Sequence, residues 1–165
     1  MTNKHQGPAQ RDQTDETYET IGEIFDRLRR LHLQLRDQLQ EDGWETDSRT
    51  EFVRKSIRDA TQKNIVALTS YRRDGDHSML DTWMQYSPAG DAEEVLRETD
   101  FSGPLDPDEL VARKARFDQA LVEFYKHLAR ETSIPRVEEL FTQMARQAEQ
   151  QASQQSWRFR DADTA

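Results

Sequence analysis

The segment 106-DPDELVARKARFDQALVEFYKHLARE-131 decides the fold that the sequence predicts. Asp106 is a preferred helix cap, Pro107 suits the first helical position, and acidic residues follow in the first turn. Apolar side chains then recur with the helical period and share one face: Leu110, Phe117, Leu121, Phe124, Tyr125 and Leu128. We expect an amphipathic helix over residues 107–131 that buries this face against other helices.

Three further segments carry an apolar stripe with the same period, two before this helix and one after it. Asp42 and Gly43 end the first, and the sequence SRTE at 48–51 has the form of a capping box for the second. The short loop between them predicts an antiparallel hairpin. Pro135 opens the last segment. The predicted helices are 16–41, 49–73, 107–131 and 135–157.

The remaining segments lack a sustained apolar stripe. Residues 1–15 are predicted to be a disordered arm, and residues 158–165 a loose tail. Residues 74–106 are far longer than the usual helix connection of about two to eight residues. They form a partly helical crossover that is long enough to run the length of a helical bundle, so up-down-up-down and crossed-over connectivities both remain open. The fold prediction is a single all-α domain, a four-helix bundle over residues 16–157.

Composition limits the function classes. The 165 residues fit one domain, and 32 acidic against 23 basic residues give a net charge of −9. This charge repels phosphate backbones and anionic surfaces, so we expect no nucleic-acid or membrane partner. Cysteine is absent, which excludes disulfides and cysteine-ligated metal sites. The first residues lack the apolar stretch of a secretion signal, so a cytoplasmic location is predicted.

The third predicted helix resembles the ferritin-like superfamily, and rubrerythrins in particular. In those proteins a metal-binding glutamate precedes a Phe-Tyr pair and then Leu-Ala, in the pattern E-x-x-x-x-x-F-Y-x-x-L-A. Residues 118–129 read DQALVEFYKHLA, which puts Asp118 at the ligand position. The fourth helix resembles L-F-x-x-x-A-x-x-E-x-x-H through Leu140, Phe141 and Ala145. Its two ligand positions fall on Ala148 and Gln151.

The other ligand positions implied by the resemblance are also occupied by residues that bind metal poorly. If His32 stands where the family has a tyrosine, the glutamate position of the first helix is Phe25. On the second helix the inward pair is Thr61 and Asn64. One carboxylate of six expected ligands survives. The resemblance therefore implies the ferritin-like fold and argues against its di-metal activity, and no cofactor is predicted.

Several polar residues still qualify as candidates. An atypical metal site would use His32, Asp118 and Glu149, although His32 also fits a core histidine that is hydrogen-bonded to a neighbouring helix. A buried polar layer that fixes helix register is the interpretation that we favour for Thr61, Asn64 and Gln151.

The crossover contains four bulky apolar residues that predict a short helix: Leu80, Trp83, Met84 and Tyr86. This segment either covers the open face of the bundle, which we favour, or forms a dimer contact, because tryptophan, methionine and tyrosine are enriched in interface cores.

Three functional hypotheses follow. The first is a non-enzymatic bundle that acts through protein–protein contacts, as a homodimer or with an unknown protein partner. The second is an iron- or manganese-binding oxidase-type or iron-handling bundle with the atypical ligand set. The third is a small-ligand-binding bundle, in which Phe25, Phe117 and Tyr125 would line a cavity.

Overall fold

The computed structural model describes residues 16–40 and 47–163. Within this part the chain is mostly helical, which confirms the all-α class. Two short strands accompany the helices, β1 (Thr17–Thr20) and β2 (Trp83–Tyr86). The helices are α1 (Ile21–Leu39), α2 (Ser48–Asp74), α3 (His77–Leu80), α4 (Asp91–Glu98), α5 (Pro107–Glu131) and α6 (Pro135–Asp163). The predicted arm at 1–15 and the stop at Asp42 and Gly43 lie outside the described residues.

Helix α5 has the bounds that the sequence predicts. Asp106 caps it by accepting a hydrogen bond from the backbone N–H of Glu109 at 2.8 Å. This bond satisfies one of the backbone donors that a helix start leaves without an internal partner. Helix α2 begins one residue before its predicted start, because the capping residue is Asp47, which accepts from the backbone N–H of Thr50 at 2.7 Å. The predicted capping box at 48–51 is therefore wrong by one position.

The start of α1 differs from the prediction that placed it at residue 16. Thr20 accepts a hydrogen bond from the backbone N–H of Glu23 at 3.1 Å, and the Glu23 side chain accepts one from the Thr20 N–H at 3.3 Å. This reciprocal capping box fixes the helix start at Ile21. The preceding residues, Thr17–Thr20, are extended and pair antiparallel with Trp83–Tyr86.

The end of α6 also differs from the prediction. The helix continues to Asp163, so residues 158–163 are helical and the predicted loose tail is wrong over this range. Phe159 accounts for the extension, because its side chain is buried in the core and anchors the last turns. The glutamine-rich sequence before it had hidden the continuing apolar stripe.

The four long helices form two antiparallel pairs. Arg36 near the end of α1 donates to Gln62 in α2 at 2.9 Å, and Arg29 donates to Thr69 one turn from the end of α2, also at 2.9 Å. Thus α1 and α2 run in opposite directions. In the second pair, Lys126 late in α5 lies 2.7 Å from the Glu149 carboxylate of α6.

Because of the crossover, α5 begins at the same end of the bundle as α2 does. Arg49, at the start of α2, donates to Asp108, at the start of α5, at 2.8 Å. Tyr71 and Tyr125, late in the same two helices, line one small cavity. Helices α2 and α5 therefore point the same way, and residues 75–106 return the chain along the length of the molecule.

The predicted short helix of the crossover is only partly present. Helix α3 ends at Leu80, and β2 follows it. Strand β2 alternates exposed and buried side chains, with Met84 and Tyr86 in the core. The Tyr86 hydroxyl donates to the Glu19 carboxylate, and Arg27 of α1 donates to the Tyr86 hydroxyl at 2.8 Å. These bonds attach the small sheet to α1, and burial raises the pKa of Tyr86 above its usual value.

The core lies between the four long helices and is mainly aromatic and aliphatic. Fully buried members come from α1, α2, α5, α6 and the crossover: Ile21, Ile24, Leu28, Leu35, Ile57, Phe101, Leu110, Phe124, Leu128 and Phe141. None of the described helices is both long enough and apolar enough to cross a bilayer.

Candidate functional site

A cavity of about 260 Å³ lies where the start of α2 meets the first half of α5 and the end of α6. Its wall combines charged, amide and apolar groups: Arg49, Val53, Asp108, Val111, Lys114, Ala115, Asp118, Ala152, Gln155, Ser156, Phe159 and Arg160. Larger depressions of 310 and 370 Å³ lie against α4 and between α5 and α6, but charged side chains make up most of their walls. The mixed lining is typical of a site that holds a small molecule.

A buried ion pair forms part of this wall. The Lys114 ammonium donates to the Asp118 carboxylate one helical turn later in α5. Only 6% of the Lys114 side chain and 12% of the Asp118 side chain are exposed. Burial outweighs the attraction of Lys114 and raises the pKa of the Asp118 carboxyl above its usual value. The pair therefore remains costly to desolvate although its partners touch.

Gln155 supplies the second buried polar group of the cavity. The residue is 6% exposed, and its side-chain amide has no hydrogen-bond partner among the described residues. The polar side-chain atoms sealed from solvent without a partner in this part of the chain are His32 Nε2, Arg36 Nε and Arg54 Nε. Because Gln155 is not one of these, its amide retains access to solvent and faces the cavity that it lines. A bound molecule could satisfy it.

The rest of the cavity divides into an apolar wall and a charged mouth. The apolar side comes from all three helices: Val53, Val111, Ala115, Ala152 and Phe159. At the mouth, Arg49 and Asp108 form an ion pair at 2.8 Å. Arg160 lies over the ring of Trp157 at 5.1 Å and adds a further cation to the rim.

His32 lies in the core as a neutral ring. It is 1% exposed, and its Nδ1 is 2.7 Å from the Leu28 carbonyl oxygen. A carbonyl only accepts, so Nδ1 carries the proton and donates it. The ring meets Phe117 edge-on at 5.5 Å between centroids. Burial lowers the pKa of His32 to about 4, with a smaller contribution from the charge of Lys114.

The three candidate metal ligands do not meet at one point. Asp118 is engaged by Lys114, whereas Glu149 pairs with Lys126 at the surface. Lys126 is eight residues beyond Asp118, a backbone rise of ~12 Å along α5, so its partner Glu149 lies about two turns away from Asp118. Among the described residues no group of three or more histidine or acidic side chains could hold a metal ion.

The three residues of the predicted polar layer do not all lie in the core. Thr61 is buried, but its hydroxyl donates to the Ile57 carbonyl of its own helix at 2.8 Å. Asn64 is half-buried and Gln151 is exposed, and both line a narrow cavity of about 40 Å³. The buried-layer prediction is therefore wrong for Gln151, because α6 turns this residue to the surface and buries Gln155 one turn later. Phe25 and Phe117 lie in the core and do not line the cavity of about 260 Å³.

Three of the four crossover candidates cover the core of the chain itself. Leu80, Met84 and Tyr86 are buried, whereas Trp83 is 51% exposed. The Trp83 ring stacks on Tyr18 of β1, with centroids 4.7 Å apart and planes 10° apart. Tyr18 is 63% exposed, so the two rings form an exposed aromatic pair on the sheet. Tyr18 stands three residues before Ile21, a spacing that also fits the apolar stripe of a helix that begins at residue 16.

Comparison of the chain with protein-family models, with curated proteins and with solved structures gives no match. The cavity combines a few polar side chains with apolar walls, an arrangement that is common among small-molecule sites.

Sequence reasoning did not single out Lys114 or Gln155, the residues on which this site depends. Both occupy stripe positions, Lys114 between Leu110 and Phe117, and Gln155 one turn before Phe159. A polar residue at an apolar stripe position is the signal that would have found them.

Proposed function

We propose that this protein is a non-enzymatic binding protein that holds a small molecule in the cavity between α2, α5 and α6. One observation carries the proposal. Two buried polar side chains, Lys114 and Gln155, and the nearly buried Asp118 carboxylate gather on the wall of a cavity that also has an apolar side. Burial of an ion pair costs several kcal/mol per ion before the attraction is counted. Apolar side chains would fill the same space without this desolvation cost. We therefore attribute the polar side chains on this wall to ligand binding.

The test is a fragment screen by ligand-observed NMR on the full chain, repeated on a variant with the cavity filled. Ala152→Phe places a ring in the cavity wall, whereas Ser153→Phe adds the same ring at an exposed position of α6 outside the cavity. We expect fragments that bind the wild type and Ser153→Phe but not Ala152→Phe. If no fragment depends on the cavity in this way, small-molecule binding is refuted.

We also propose that the chain has the ferritin-like arrangement of a four-helix bundle. Its support is the sequence of helix directions. Helices α1 and α2 are antiparallel, α2 and α5 run the same way after the long crossover, and α5 and α6 are antiparallel. An experimental structure with a different order of helix directions would refute it. The cytoplasmic location stays a prediction from the sequence.

Protein–protein contact is the second candidate function, because one observation favours it. Tyr18 and Trp83 leave two large aromatic surfaces exposed side by side, and such residues frequently anchor interfaces. The contact would form a homodimer or bind an unknown protein partner. Size-exclusion chromatography with light scattering tests the homodimer, and a species of 19.4 kDa at all concentrations would refute that form.

A further inference from the structure

We infer that the molecule bound in the cavity is a small uncharged amide with an apolar body, which presents an N–H beside its C=O to the side-chain amide of Gln155. This inference rests on the proposed binding function and adds the chemical class of the ligand. It depends on the charge balance of the cavity wall, on the unpaired amide of Gln155, and on the apolar side of the cavity.

The charged side chains of the wall are already compensated by one another or by their own helix. Arg49 pairs with Asp108 at 2.8 Å, and Lys114 donates to Asp118. Arg160 lies over an indole ring of its own helix at 5.1 Å and donates to a serine hydroxyl there at 3.4 Å. An anion or a cation in the cavity would therefore gain a counter-charge only by taking it from an existing contact. An uncharged ligand leaves these contacts intact and has no charge to desolvate.

The side-chain amide of Gln155 offers a donor and an acceptor side by side. The residue lines the cavity and is 6% exposed, and within the described part of the chain neither its oxygen nor its nitrogen has a hydrogen-bond partner. A primary amide holds its acceptor oxygen and its NH₂ donor in one plane. Exchange of the oxygen and the nitrogen keeps the two groups adjacent, so either orientation of the amide presents the same pair to the cavity.

A ligand satisfies both groups of this pair at once if it carries an N–H and a C=O on the same side. Lactams and primary amides have this edge, and they can pair with Gln155 through two parallel hydrogen bonds. A ketone or an ether can accept from the NH₂ group but leaves the Gln155 oxygen unpaired. A buried acceptor that loses water without gaining a new donor weakens binding, so the double donor–acceptor edge is favoured.

The size and the apolar side of the cavity define the rest of the ligand. A volume of about 260 Å³ is slightly below the ~300–1,000 Å³ of pockets for drug-sized molecules, so the ligand is small. Val53, Val111 and Phe159 offer aliphatic and aromatic contact to a short hydrocarbon chain or a small ring. Burial of these apolar groups against each other is favourable and supplies affinity that the uncharged amide edge then makes specific.

The first test concerns the charge of the ligand. The probes ε-caprolactam, azepane and cyclohexanecarboxylate have rings of similar size, but at pH 7 azepane is a cation and cyclohexanecarboxylate is an anion. Each is titrated into isotope-labelled protein, and chemical-shift changes of the Gln155 side-chain amide report occupancy. We expect caprolactam to bind at least about tenfold more tightly than either ion. Equal or tighter binding of an ion at this residue would refute the uncharged class and leave the binding function standing.

The second test concerns the N–H beside the C=O. Cycloheptanone keeps the ring size and the C=O of caprolactam but lacks the N–H, whereas Gln155→Leu removes both groups of the glutamine edge. Caprolactam loses two hydrogen bonds by this substitution and cycloheptanone at most one. The ratio of caprolactam affinity to cycloheptanone affinity should therefore fall at least about tenfold from wild type to variant, with the backbone amides of Lys114 and Asp118 as reporters. An unchanged ratio would overturn the assignment of the amide edge to Gln155.

The same variant separates a role in binding from a role in folding. Gln155→Leu removes an amide without a described partner, so it should melt at a temperature equal to or above that of the wild type. A role in folding alone would lower the melting temperature and weaken both probes alike. Gln154→Leu, the same change at the exposed neighbouring position, is the control and should alter neither affinity.

The fragment screen distinguishes failure of the amide class from failure of the binding function. If the screen finds a cavity ligand but caprolactam does not bind, the amide class is refuted and the binding function stands. If caprolactam does not bind and the screen also finds no cavity ligand, both proposals fail.

Discussion

The protonation of His32 gives a direct test of the core, because the ring is buried and neutral. In the folded protein its Nδ1 donates to the Leu28 carbonyl, and burial lowers its pKa to about 4. In the unfolded chain the ring is solvated and takes its ordinary pKa of 6.5. The unfolded state therefore binds a proton at a higher pH than the folded state does. We expect this residue to make the protein less stable as the pH falls.

The size and the pH range of the effect follow from the two pKa values. A folded pKa below the unfolded one gives stability that is fully present above pH 6.5 and is lost as the pH falls toward 4. At ~1.4 kcal/mol for each unit of difference, the loss approaches about 3 kcal/mol at pH 4. By pH 5 about 2 kcal/mol of it is already lost. This amount is a large part of the free energy of unfolding of a small domain, about 5–15 kcal/mol.

The assay compares wild type with His32→Leu by urea unfolding, followed by circular dichroism at pH 7 and pH 5. Leucine fills a similar volume and does not titrate, so the variant retains the pH dependence of every other group. We expect the free energy of unfolding of the wild type to fall by about 2 kcal/mol more than that of the variant over this range. His77→Leu, which removes an exposed imidazole at the start of α3, is the control. If wild type and His32→Leu lose equal stability, the ring is not held neutral in the core.

Other parts of the structure give further predictions. The double variant Lys114→Met with Asp118→Leu should be as stable as the wild type or up to ~4 kcal/mol more stable in urea unfolding, whereas Asp118→Leu alone should lose about 3 kcal/mol by leaving a buried ammonium unpaired. If the single and the double variant lose the same free energy of unfolding, burial of the ion pair does not destabilise the wild type. Leu121→Asp should abolish the cooperative thermal melt, since it buries a charge in the core, and a retained melt would contradict the assigned packing. Trp83→Ser should convert any homodimer to monomer in light scattering, and a dimer that survives the change would exclude this surface as its interface.

The sequence predicted those parts of the fold that local signals mark. Helix α5 has the predicted bounds because Asp106 and Pro107 mark its start and its apolar stripe continues to the end. Strand β1 was missed because its pairing partner lies more than sixty residues away, and four residues show too little alternation to predict a strand. Tyr18 also fitted the helical stripe of α1 by spacing alone. Only the capping box at Thr20 shows where strand β1 ends and helix α1 begins.

The candidate site was harder to predict because its residues belong to the stripes themselves. Lys114 occupies a core position of α5, and it can contact a ligand only because α6 leaves a cavity beside it. The glutamine-rich sequence after Ala148 interrupts the apolar stripe of α6, so spacing alone did not indicate that Gln155 is buried. By contrast, the core position of His32 was available from the sequence, but its Nδ1 donates to the Leu28 carbonyl of its own helix and not to a neighbouring helix. The spacing of residues along one helix cannot show whether a neighbouring helix fills a space or leaves it open.

The two candidate surfaces lie at opposite ends of the molecule, so their roles can be tested independently. The cavity adjoins the starts of α2 and α5, whereas the aromatic pair stands beside the start of α1 and beyond the end of α2. Helix α2, of 27 residues, separates them by ~40 Å. Changes at sites this far apart without shared partners are additive in free energy to within about 0.5 kcal/mol. Trp83→Ser should therefore leave fragment binding in the cavity unchanged, and Ala152→Phe should leave the mass in light scattering unchanged. If either variant alters the other property, the two surfaces are coupled through the helices, and the assignment of separate functions to the two ends is wrong.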